Sequence, residues 1–348
     1  MHVPDPAVGS SAPDRADFQR LTQPYHRELR VHCYRMLGSF HDADDALQDT
    51  LLAAWQHLSG FEDRASLRTW LYRIATNKCL DARRSAIRRA AREWNVPGVR
   101  PPEPTRLGEV TWLEPIPDSW WTGITETSLG PAARYDQREA ISLAFVTALQ
   151  LLPPRQVAAL VLRDVLGFPA AEVAEMLDCT VEAVTSALKR ARAGLRRGRA
   201  ADPGRGISPG PGSRAEQAVL GRFVRAWESA DVEALVSVLS HDVLMTMPPI
   251  PFEYVGTERV AEFCGRLFAA GRRFRLVSTR ANGQPAFGAY LRTEREVGDG
   301  VGVYVLRVAG GRITDLTRFE HTMLPVFGLP DRWAGPIPPS SSAGTVRK

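Results

Sequence analysis

The chain is 348 residues long, carries a formal net charge of +5 and is 44% hydrophobic. This length predicts two or three domains, and the hydrophobic content is ordinary for a globular protein with its own core. The four cysteines are scattered, with no Cys-x-x-Cys pair and no His/Cys cluster. Their spacing excludes a zinc finger and a disulfide framework, so we expect reduced thiols, no metal and no cofactor.

The sequence lacks the features of an exported or membrane protein. No apolar run approaches the length of about 18 residues that spans a bilayer. The N-terminus has no basic region followed by an apolar stretch, which a secretory signal requires. We therefore predict a cytoplasmic protein with no membrane partner.

Positive charge is clustered along the chain. Five arginines lie between Arg83 and Arg92 without an acid, and six basic residues lie between Lys189 and Arg199. A basic stripe offers a binding surface to a polyanion such as nucleic acid. The alternative is that each run is only a solvated helix face, but two runs beside separate helical segments favour nucleic acid.

The N-terminal third has helical patterns after a Pro-, Ala- and Ser-rich start at residues 1–16, which we expect to be disordered. Apolar periodicity predicts helices over residues 18–37, from near residue 42 to residue 58, and over residues 66–85. The face of the second helix opposite its apolar side carries Asp45, Gln48, Asp49 and Leu52.

The next segment, residues 88–134, loses this period and gains prolines. A long segment without secondary structure is not a compact domain of its own, so we predict a linker. Its tryptophans, Trp112, Trp120 and Trp121, are a candidate docking motif. Helical patterns resume over residues 138–152 and 154–166, where the proline at the start suits a first helical turn.

A helix-turn-helix pattern follows. A short amphipathic segment at residues 170–177 is separated by three residues from a longer one at 181–197, whose apolar residues recur at helical spacing. Thr180 is a good N-cap, and the basic residues lie in the C-terminal half, as the helix dipole favours. The second helix would be roughly 25 Å long, enough to lie in a major groove. The alternative is an ordinary helical hairpin with a basic face.

The C-terminal part begins after a Gly/Pro/Ser tract at residues 201–213, a flexible linker by composition. Its patterns predict a helix over residues 215–239 and a short one over 257–270. Strand-like runs follow at 274–279, 286–294, 301–309 and 312–321. Gly310-Gly311 indicates a tight hairpin. We predict an α+β cone with a curved antiparallel sheet, followed by a Pro/Ser-rich tail at 331–348.

The cone contains few groups suited to catalysis. An enzyme would need an acid/base pair inside the cone, and a fold of this type does not decide function by itself. The candidates are His241, Asp242, Tyr254, Glu320 and His321. We expect no enzymatic activity.

Two stretches carry a family resemblance. The run D-A-D-D-A-L-Q-D-T-L-L-A-A-W-Q at residues 42–56 and the run F-E-D-R-A-S-L-R-T-W-L-Y-R-I-A-T-N-K-C-L-D-A-R-R at 61–84 resemble region 2 of bacterial sigma-70 family sigma factors, in the extracytoplasmic-function group. The helix-turn-helix stands where region 4 would be. In the C-terminal part, F-V-R-A-W-E-S-A-D-V-E-A-L and N-G-Q-P-A-F resemble the SnoaL-like (nuclear transport factor 2-like) domain.

The resemblance implies a multidomain protein with all-α region 2 and region 4 modules followed by an α+β cone. It places region 2 at residues 17–90, a linker at 91–134, region 4 at 135–199, a second linker at 200–213 and the SnoaL-like domain at 214–330. The implied function is binding to core RNA polymerase and promoter-specific transcription initiation. A linker in this family passes through the active-centre cleft of the polymerase, where Glu109, Glu114 and Asp118 would mimic nucleic-acid charge.

The resemblance also implies roles for single residues. The exposed face of the second helix, with Asp45, Gln48, Asp49 and Leu52, would dock on the clamp helices of the largest catalytic polymerase subunit. The residues that match the minus-ten recognition segment are Phe61, Arg64, Ser66, Arg73, Asn77, Lys78, Arg83 and Arg84. The residues that match the minus-thirty-five reader are Thr180, Glu182, Ala183, Ser186, Lys189 and Arg190. Many relatives carry lysine at the position of Thr185.

Two alternatives remain open at this point. A one-component regulator would also join a helix-turn-helix to a ligand-sensing cone, but it would not need the block at residues 42–84. A SnoaL-type isomerase or hydrolase fused to a DNA-binding region is the other. For a sigma factor, we expect the cone to act in cis through an intramolecular contact or a small ligand, because a tethered domain has an effective concentration on the order of mM.

Overall fold

The computed structural model describes residues 15–61, 66–86, 91–109, 112–123, 139–200, 208–292 and 298–333. Its helices are α1 Arg15–Thr22, α2 His26–Leu37, α3 Phe40–His57, α4 Leu67–Ala86, α5 Leu143–Gln150, α6 Pro154–Leu160, α7 Ala170–Met176, α8 Val181–Ala200, α9 Arg214–Ser229, α10 Val232–Val238 and α11 Thr257–Ala269. Its strands are β1 Arg106–Leu107, β2 Leu239–Met247, β3 Ile250–Val255, β4 Phe274–Ala281, β5 Gln284–Leu291, β6 Gly298–Ala309, β7 Arg312–Phe319 and β8 Arg332–Trp333.

The described residues fall into four parts, which we name by their ranges. The first helical module comprises residues 15–86, the connecting segment 91–123, the second helical module 139–200 and the cone 208–333. The parts predicted to be disordered or flexible at 1–14, 124–138, 201–207 and 334–348 lie outside the described residues.

The first helical module packs α2, α3 and α4 around an apolar core. The predicted single helix over residues 18–37 is wrong, because a 3₁₀ turn at Gln23–Tyr25 separates α1 from α2. Pro24 lies in that turn, and a proline has no N–H to continue an α-helical ladder. The turn from α2 to α3 uses Gly38 at φ 75° and Ser39, whose Oγ accepts a hydrogen bond from the Asp42 amide at 3.1 Å.

The second helical module contains the predicted helix-turn-helix. Asp178 adopts φ 48° in the turn, and Thr180 Oγ1 accepts a hydrogen bond from the Ala183 amide at 3.2 Å, the expected N-cap. Val184, Leu188 and Ala191 are buried along one side of α8. The apolar face of α8 that the sequence predicts is therefore the buried face.

The cone differs from the prediction in its first half. The predicted helix over residues 215–239 is two helices, because Ala230 adopts φ 58° and Asp231 caps α10 by accepting from the Ala234 amide at 2.9 Å. Residues 239–255 form β2 and β3, which the pattern reading missed. β2 alternates buried Val243, Met245 and Met247 with less buried residues, which is the period of a half-buried strand.

The sheet has the order β1-β3-β2-β7-β6-β5-β4, and β8 pairs with β6. β2 runs parallel to β7, so the sheet is mixed, and the expectation of a purely antiparallel sheet is wrong. A parallel neighbour is possible here because a long connection, containing β3 to β6 and α11, lies between β2 and β7 in sequence. The hairpin between β6 and β7 has Gly310 at φ 57° and Gly311 at φ 74°, as expected for a tight turn.

Aromatic side chains fill the space between the sheet and the helices α9 to α11. The ring of Trp227 lies 5.1 Å from Tyr304 and 5.6 Å from Phe268, measured between centroids. Tyr254 and Phe263 pack in the same core at 5.1 Å. Edge and tilted contacts of this kind add to the burial of large apolar surfaces, so these rings hold the helices on the sheet.

The connecting segment is not free of the domains that it joins. β1 pairs with the cone strand β3, and Val99 is buried in the cone's core. Leu113 and Ile116 are buried in the other core cluster, which the helical modules share with the outer face of the cone's sheet. The linker prediction therefore needs a correction for residues 91–109 and 112–123, which are integrated into the fold.

Candidate nucleic-acid and polymerase interfaces

The face of α3 predicted for polymerase binding is exposed. Asp45, Gln48, Asp49 and Leu52 are all exposed, at spacings of three and four residues that place them on one side of a helix. Leu52 is 57% exposed. An apolar side chain among acids on an unpaired helix face suits a protein partner, since interface cores favour apolar contacts.

Most of the residues predicted for minus-ten recognition line α4 and the turn before it. Arg73, Asn77 and Arg84 are exposed, and Lys78 is half-buried. Ser66 is exposed and accepts a hydrogen bond from the Thr69 amide at 3.0 Å through its Oγ. Arg64 lies outside the described residues.

The aromatic residues near this segment have different environments. Phe61 is half-buried and lies 5.1 Å from Trp70 between ring centroids. Trp70 is also half-buried, whereas Tyr72 is fully buried. Tyr72 therefore belongs to the core, and the pair Phe61–Trp70 retains accessible ring surface.

Arg83 does not lie where the minus-ten prediction placed it. Its guanidinium donates to the backbone oxygens of Met36 at 3.0 Å, Leu152 at 3.0 Å and Gln150 at 3.3 Å. Burial lowers the pKa of Arg83. In this arrangement Arg83 joins the two helical modules, and their carbonyls engage three of its five N–H donors, which reduces what it can offer to a phosphate backbone.

The residues predicted for the minus-thirty-five reader share an exposed surface. Thr180, Glu182, Ala183, Ser186, Lys189 and Arg190 are all exposed on or just before α8. Hydrogen bonds from its own backbone amide and from Thr180 lower the pKa of Glu182. The first turn of the helix thus keeps a carboxylate, which can accept a hydrogen bond from a cytosine amino group.

Three other residues of α8 were not selected for the minus-thirty-five reader. Thr185 Oγ1 donates to the Val181 carbonyl at 3.0 Å, and Val181 is 41% exposed at the helix start. The sequence analysis did not select Val181, and its signal is an apolar residue at an unburied position. Arg192 pairs with Asp164 at 2.7 and 2.8 Å, so this arginine holds α8 on the π-helical turn Val161–Val165 that follows α6.

The two helical modules contact each other beside the predicted minus-ten segment. Arg68 of α4 donates to Glu28 at 3.1 Å, and its guanidinium lies 4.8 Å from the rings of both Tyr72 and Phe168. Thr69 Oγ1 donates to Glu172 Oε2 of α7 at 2.9 Å. A cation stacked between an aromatic ring of each module stabilises the contact.

The cone reaches this interface through the tip of its β4–β5 hairpin. Asn282 and Gly283 form the tip at φ 55° and φ 74°. The Asn282 side-chain amide donates to Tyr34 Oη at 2.9 Å and to the Ile141 carbonyl at 2.8 Å. Its oxygen accepts from the Ile116 amide at 3.0 Å. One buried side chain therefore connects the cone to both helical modules and to the connecting segment.

Two of the three acidic residues predicted to mimic nucleic-acid charge, Glu114 and Asp118, are engaged within the chain, whereas Glu109 is exposed. Glu114 accepts from Ser39 Oγ at 2.7 Å and from the His41 amide at 3.1 Å, at the start of α3. Asp118 accepts from the Gly283 amide at 2.7 Å and from Arg280 at 3.2 Å. These carboxylates hold the connecting segment between the first helical module and the cone.

The tryptophans of the predicted docking motif divide between two surfaces. The ring of Trp120 lies 4.3 Å from Phe40 of α3, and the Arg30 guanidinium lies 4.7 Å from the same ring. Trp112 lies 5.3 Å from the Arg92 guanidinium. Trp120 thus docks on the first helical module.

The catalytic candidates do not form a site. His241 and Asp242 are exposed on β2, and Ser240 donates a hydrogen bond to Asp242, which lowers its pKa. Tyr254 is buried and donates to the Pro102 carbonyl at 2.9 Å, while Glu320 pairs with Arg92. His321 is exposed beyond β7. In the described part of the chain, no hydrogen bond or ion pair joins any two of these five side chains.

Neither a metal site nor a membrane span is found in the described residues. No group of three His, Cys, Asp or Glu side chains is placed to hold a metal ion. No described helix is both long enough and apolar enough to cross a bilayer. All four cysteines are free thiols, and only Cys179 is not fully buried.

Comparisons with known proteins agree with this organisation. Sequence profiles of three families match: Sigma-70 region 2 over residues 21–89, Sigma-70 region 4 over 142–195 and the SnoaL-like domain over 220–316. The ECF RNA polymerase sigma factor SigG of Mycobacterium tuberculosis is 40% identical over 335 residues, covering 91% of this chain and 85% of SigG. SigJ from the same organism is 32% identical over 231 residues, covering 66% of this chain and 64% of SigJ.

The crystal structure of SigJ from Mycobacterium tuberculosis aligns with a TM-score of 0.54 at 22% identity, covering 88% of this chain and 96% of that chain. This likeness shows the fold, and it confirms the predicted class of helical modules followed by an α+β cone. The chain therefore belongs to the ECF RNA polymerase sigma factors, which are not enzymes and which bind core RNA polymerase and promoter DNA in transcription initiation, and it carries a SnoaL-like domain after region 4.

Proposed function

We propose that this sigma factor is held in a closed state by contacts among its own domains, and that promoter binding requires the two helical modules to separate. The minus-ten and minus-thirty-five elements lie roughly 25 base pairs apart, or about 85 Å at 3.4 Å per base pair. The two modules are in direct contact through Arg83, whose guanidinium bonds both Met36 and Leu152. One protein in this state cannot reach both elements.

The observation that carries the proposal is the position of Asn282. Its side chain bonds Tyr34 of the first module and Ile141 of the second, and it is 1% exposed. A buried amide with all these partners stabilises one arrangement, because separating the modules would leave its donors unpaired unless water replaced them. The cone thus favours the closed state.

Individual residues receive the following roles in this proposal. Asp45, Gln48, Asp49 and Leu52 bind core RNA polymerase. Arg73, Asn77, Lys78 and Arg84, with the Phe61–Trp70 pair and Ser66, recognise the minus-ten element. Residues on α8, above all Lys189 and Arg190, read the minus-thirty-five element. The cytoplasm is the place of action, since core RNA polymerase works there.

Arg83 has a role that depends on the state of the protein. In the closed state carbonyls of both modules engage three of its five N–H donors. Separation of the modules would break the bonds to Gln150 and Leu152 and expose the Nη2 donors of Arg83 to solvent. The same arginine then becomes available to a phosphate, so closure and DNA binding compete for one group.

The polymerase-binding face behaves differently, because it is exposed in the closed state. Core RNA polymerase can therefore meet α3 before the modules separate. A partner shifts a two-state equilibrium only by its differential affinity for the two states. Polymerase that binds both modules in the open arrangement would supply that difference.

A reversible lock between the modules tests the proposal in the full chain. Thr69 and Glu172 are joined by a 2.9 Å hydrogen bond, so Thr69→Cys with Glu172→Cys places two thiols at the interface. We expect the oxidised variant to lose promoter-specific transcription and to regain it after reduction. Equal transcription by the oxidised and reduced forms would contradict the proposal, and each single-cysteine variant is the matched control.

A further inference from the structure

The cone has a second binding surface, which the sequence analysis did not predict. β1 of the connecting segment lies along the edge strand β3 in antiparallel register, with Leu107 opposite Phe252. The Thr105 amide donates to the Glu253 carbonyl at 2.9 Å, and the Gly108 amide donates to the Pro251 carbonyl at 2.8 Å. Main-chain hydrogen bonds at a free sheet edge are one of the general ways to bind an extended peptide.

Apolar anchors lie upstream of this strand. Val99 is 6% exposed and lies in the core of the cone. Trp94 packs edge-on against Phe263 of α11 at 5.6 Å between centroids, and its Nε1 donates to the Val99 carbonyl at 2.8 Å. Through these anchors and the strand, residues 94–108 contact the cone along their whole length.

The prolines of this segment are recognised through their carbonyls. Tyr254 Oη donates to Pro102 at 2.9 Å, and Arg272 donates to Pro97 at 2.8 Å. Arg266 donates to Pro101 at 3.4 Å. A proline has no N–H, so its carbonyl is the only main-chain group that the cone can bind, and in each case the cone supplies a side-chain donor.

This surface differs in chemistry from the junction at Asn282. The junction joins the cone to both helical modules by side-chain hydrogen bonds and a shared apolar cluster, whereas the surface at β3 combines a strand ladder with apolar anchors from the connecting segment. Apolar burial and main-chain pairing do not depend on a partner from either helical module. Separation of the modules therefore leaves the contact between residues 94–108 and the cone unchanged.

We infer that the cone binds residues 94–108 as a permanent extra strand, and that this contact persists when the sigma factor opens on polymerase. The inference rests on the proposed function, because it assumes that the protein opens. It states that the β3 contact persists on opening and that the Asn282 junction breaks. The cone would then remain attached to residues 94–108, while the Asn282 junction and the contacts of residues 112–123 would open.

The length of chain is compatible with this arrangement. With residues 94–108 fixed to the cone, residues 109–142 remain to connect to α5. An extended chain spans at most about 3.3 Å per residue, so this stretch reaches about 110 Å. That exceeds the roughly 85 Å between the two promoter elements once residues 112–123 also leave their docked positions. The 13 residues 201–213 between α8 and α9 reach about 43 Å, so the cone would lie between the two modules, and release from β3 is not needed.

A disulfide between β1 and β3 tests the inference in the full chain. Leu107→Cys with Phe252→Cys places thiols on residues that are directly opposite in the register, and the natural thiols other than Cys179 are buried. We expect the oxidised and reduced forms to bind core RNA polymerase and to transcribe equally, within about twofold. A large loss of transcription on oxidation, reversed by reductant, would overturn the inference.

Two further measurements distinguish a failure of this inference from a failure of the proposed closed state. The Thr69→Cys, Glu172→Cys lock is measured beside it, and its oxidised form should be inactive, so that a failure of closure and a failure of the permanent strand give different results. Hydrogen exchange gives a direct view: the amides of Thr105 and Gly108 should stay protected in the polymerase complex. Loss of their protection on polymerase binding would also overturn the inference.

Discussion

The side-chain amide of Asn282 in the cone donates a hydrogen bond to Tyr34 Oη in α2 at 2.9 Å, and the same phenol donates to the Glu114 carbonyl at 2.9 Å. Burial raises the pKa of Tyr34 well above its usual value, so the hydroxyl keeps its proton and can serve as both acceptor and donor. This chain of bonds runs from the cone through region 2 to the connecting segment.

Replacement of Asn282 by alanine should favour the open state. The change removes two donated bonds and one accepted bond, each worth about 1 kcal/mol in a typical case. We expect higher transcription in a multi-round assay at equal protein concentration. Ser278→Ala, at an exposed position of β4 in the same hairpin, is the control, and unchanged activity of the Asn282 variant would argue against a closing role for this side chain.

Charge reversal at Asp45 should abolish association with core RNA polymerase. Asp45 is exposed on α3 and lies outside the buried core of the module, so the variant should fold normally. Glu258→Lys makes the same charge change at an exposed position of the cone. Co-purification with core enzyme measures the result, and normal holoenzyme formation by Asp45→Lys would mean that the wrong face of α3 was assigned.

Alanine at Lys189 or Arg190 should weaken binding to the minus-thirty-five element. Both side chains are exposed on α8, and a base contact is worth about 1–3 kcal/mol of discrimination. Arg192→Ala is the matched control on the same helix, because Arg192 is paired with Asp164 instead. Equal promoter affinity of all three variants and the parent protein would remove α8 from the reading role.

The buried His32 should make the first helical module sensitive to acid. Burial lowers its pKa to about 3, helped by the charges of Arg35 and Arg68. A histidine whose pKa is lowered by folding contributes full stability above its unfolded pKa near 6.5 and loses it as the pH falls. The free energy of unfolding should therefore fall by about 1.4 kcal/mol per pH unit between pH 6 and pH 3.5 through this group.

Urea unfolding at pH 7 and pH 4.5 measures this effect. His32→Gln should reduce the loss between the two pH values, whereas His57→Gln, at an exposed position, should not. An identical pH dependence in the parent protein and the His32 variant would show that another group controls acid sensitivity.

Local features of the fold could be predicted from the sequence because each depends on a few neighbouring residues. The cap at Thr180 and the hairpin at Gly310-Gly311 are determined by residues within one turn. The split of residues 215–239 was missed because Ala230 gives no sign of its positive φ, which the packing of two helices on the sheet requires. β2 and β3 were missed because the preceding helical period masked their alternation.

The interdomain contacts could not be predicted, since they depend on segments far apart in sequence. The N-G-Q-P-A-F motif was noticed for its resemblance, yet the partners of Asn282 are Tyr34, Ile116 and Ile141. Arg83 was assigned to DNA because a basic helix end suggests phosphate. Its actual partners are backbone carbonyls of α2 and of the residues at the end of α5, which carry no sequence signal.

The central claim is that the two helical modules are together in the free protein and apart on a promoter. Fluorescent labels at Ser85→Cys in α4 and Glu175→Cys in α7, both exposed, measure this distance by energy transfer. We predict high transfer in the free full-length protein and a large decrease when core RNA polymerase and promoter DNA are both present. The same transfer efficiency in the free protein and in the promoter complex would contradict the account.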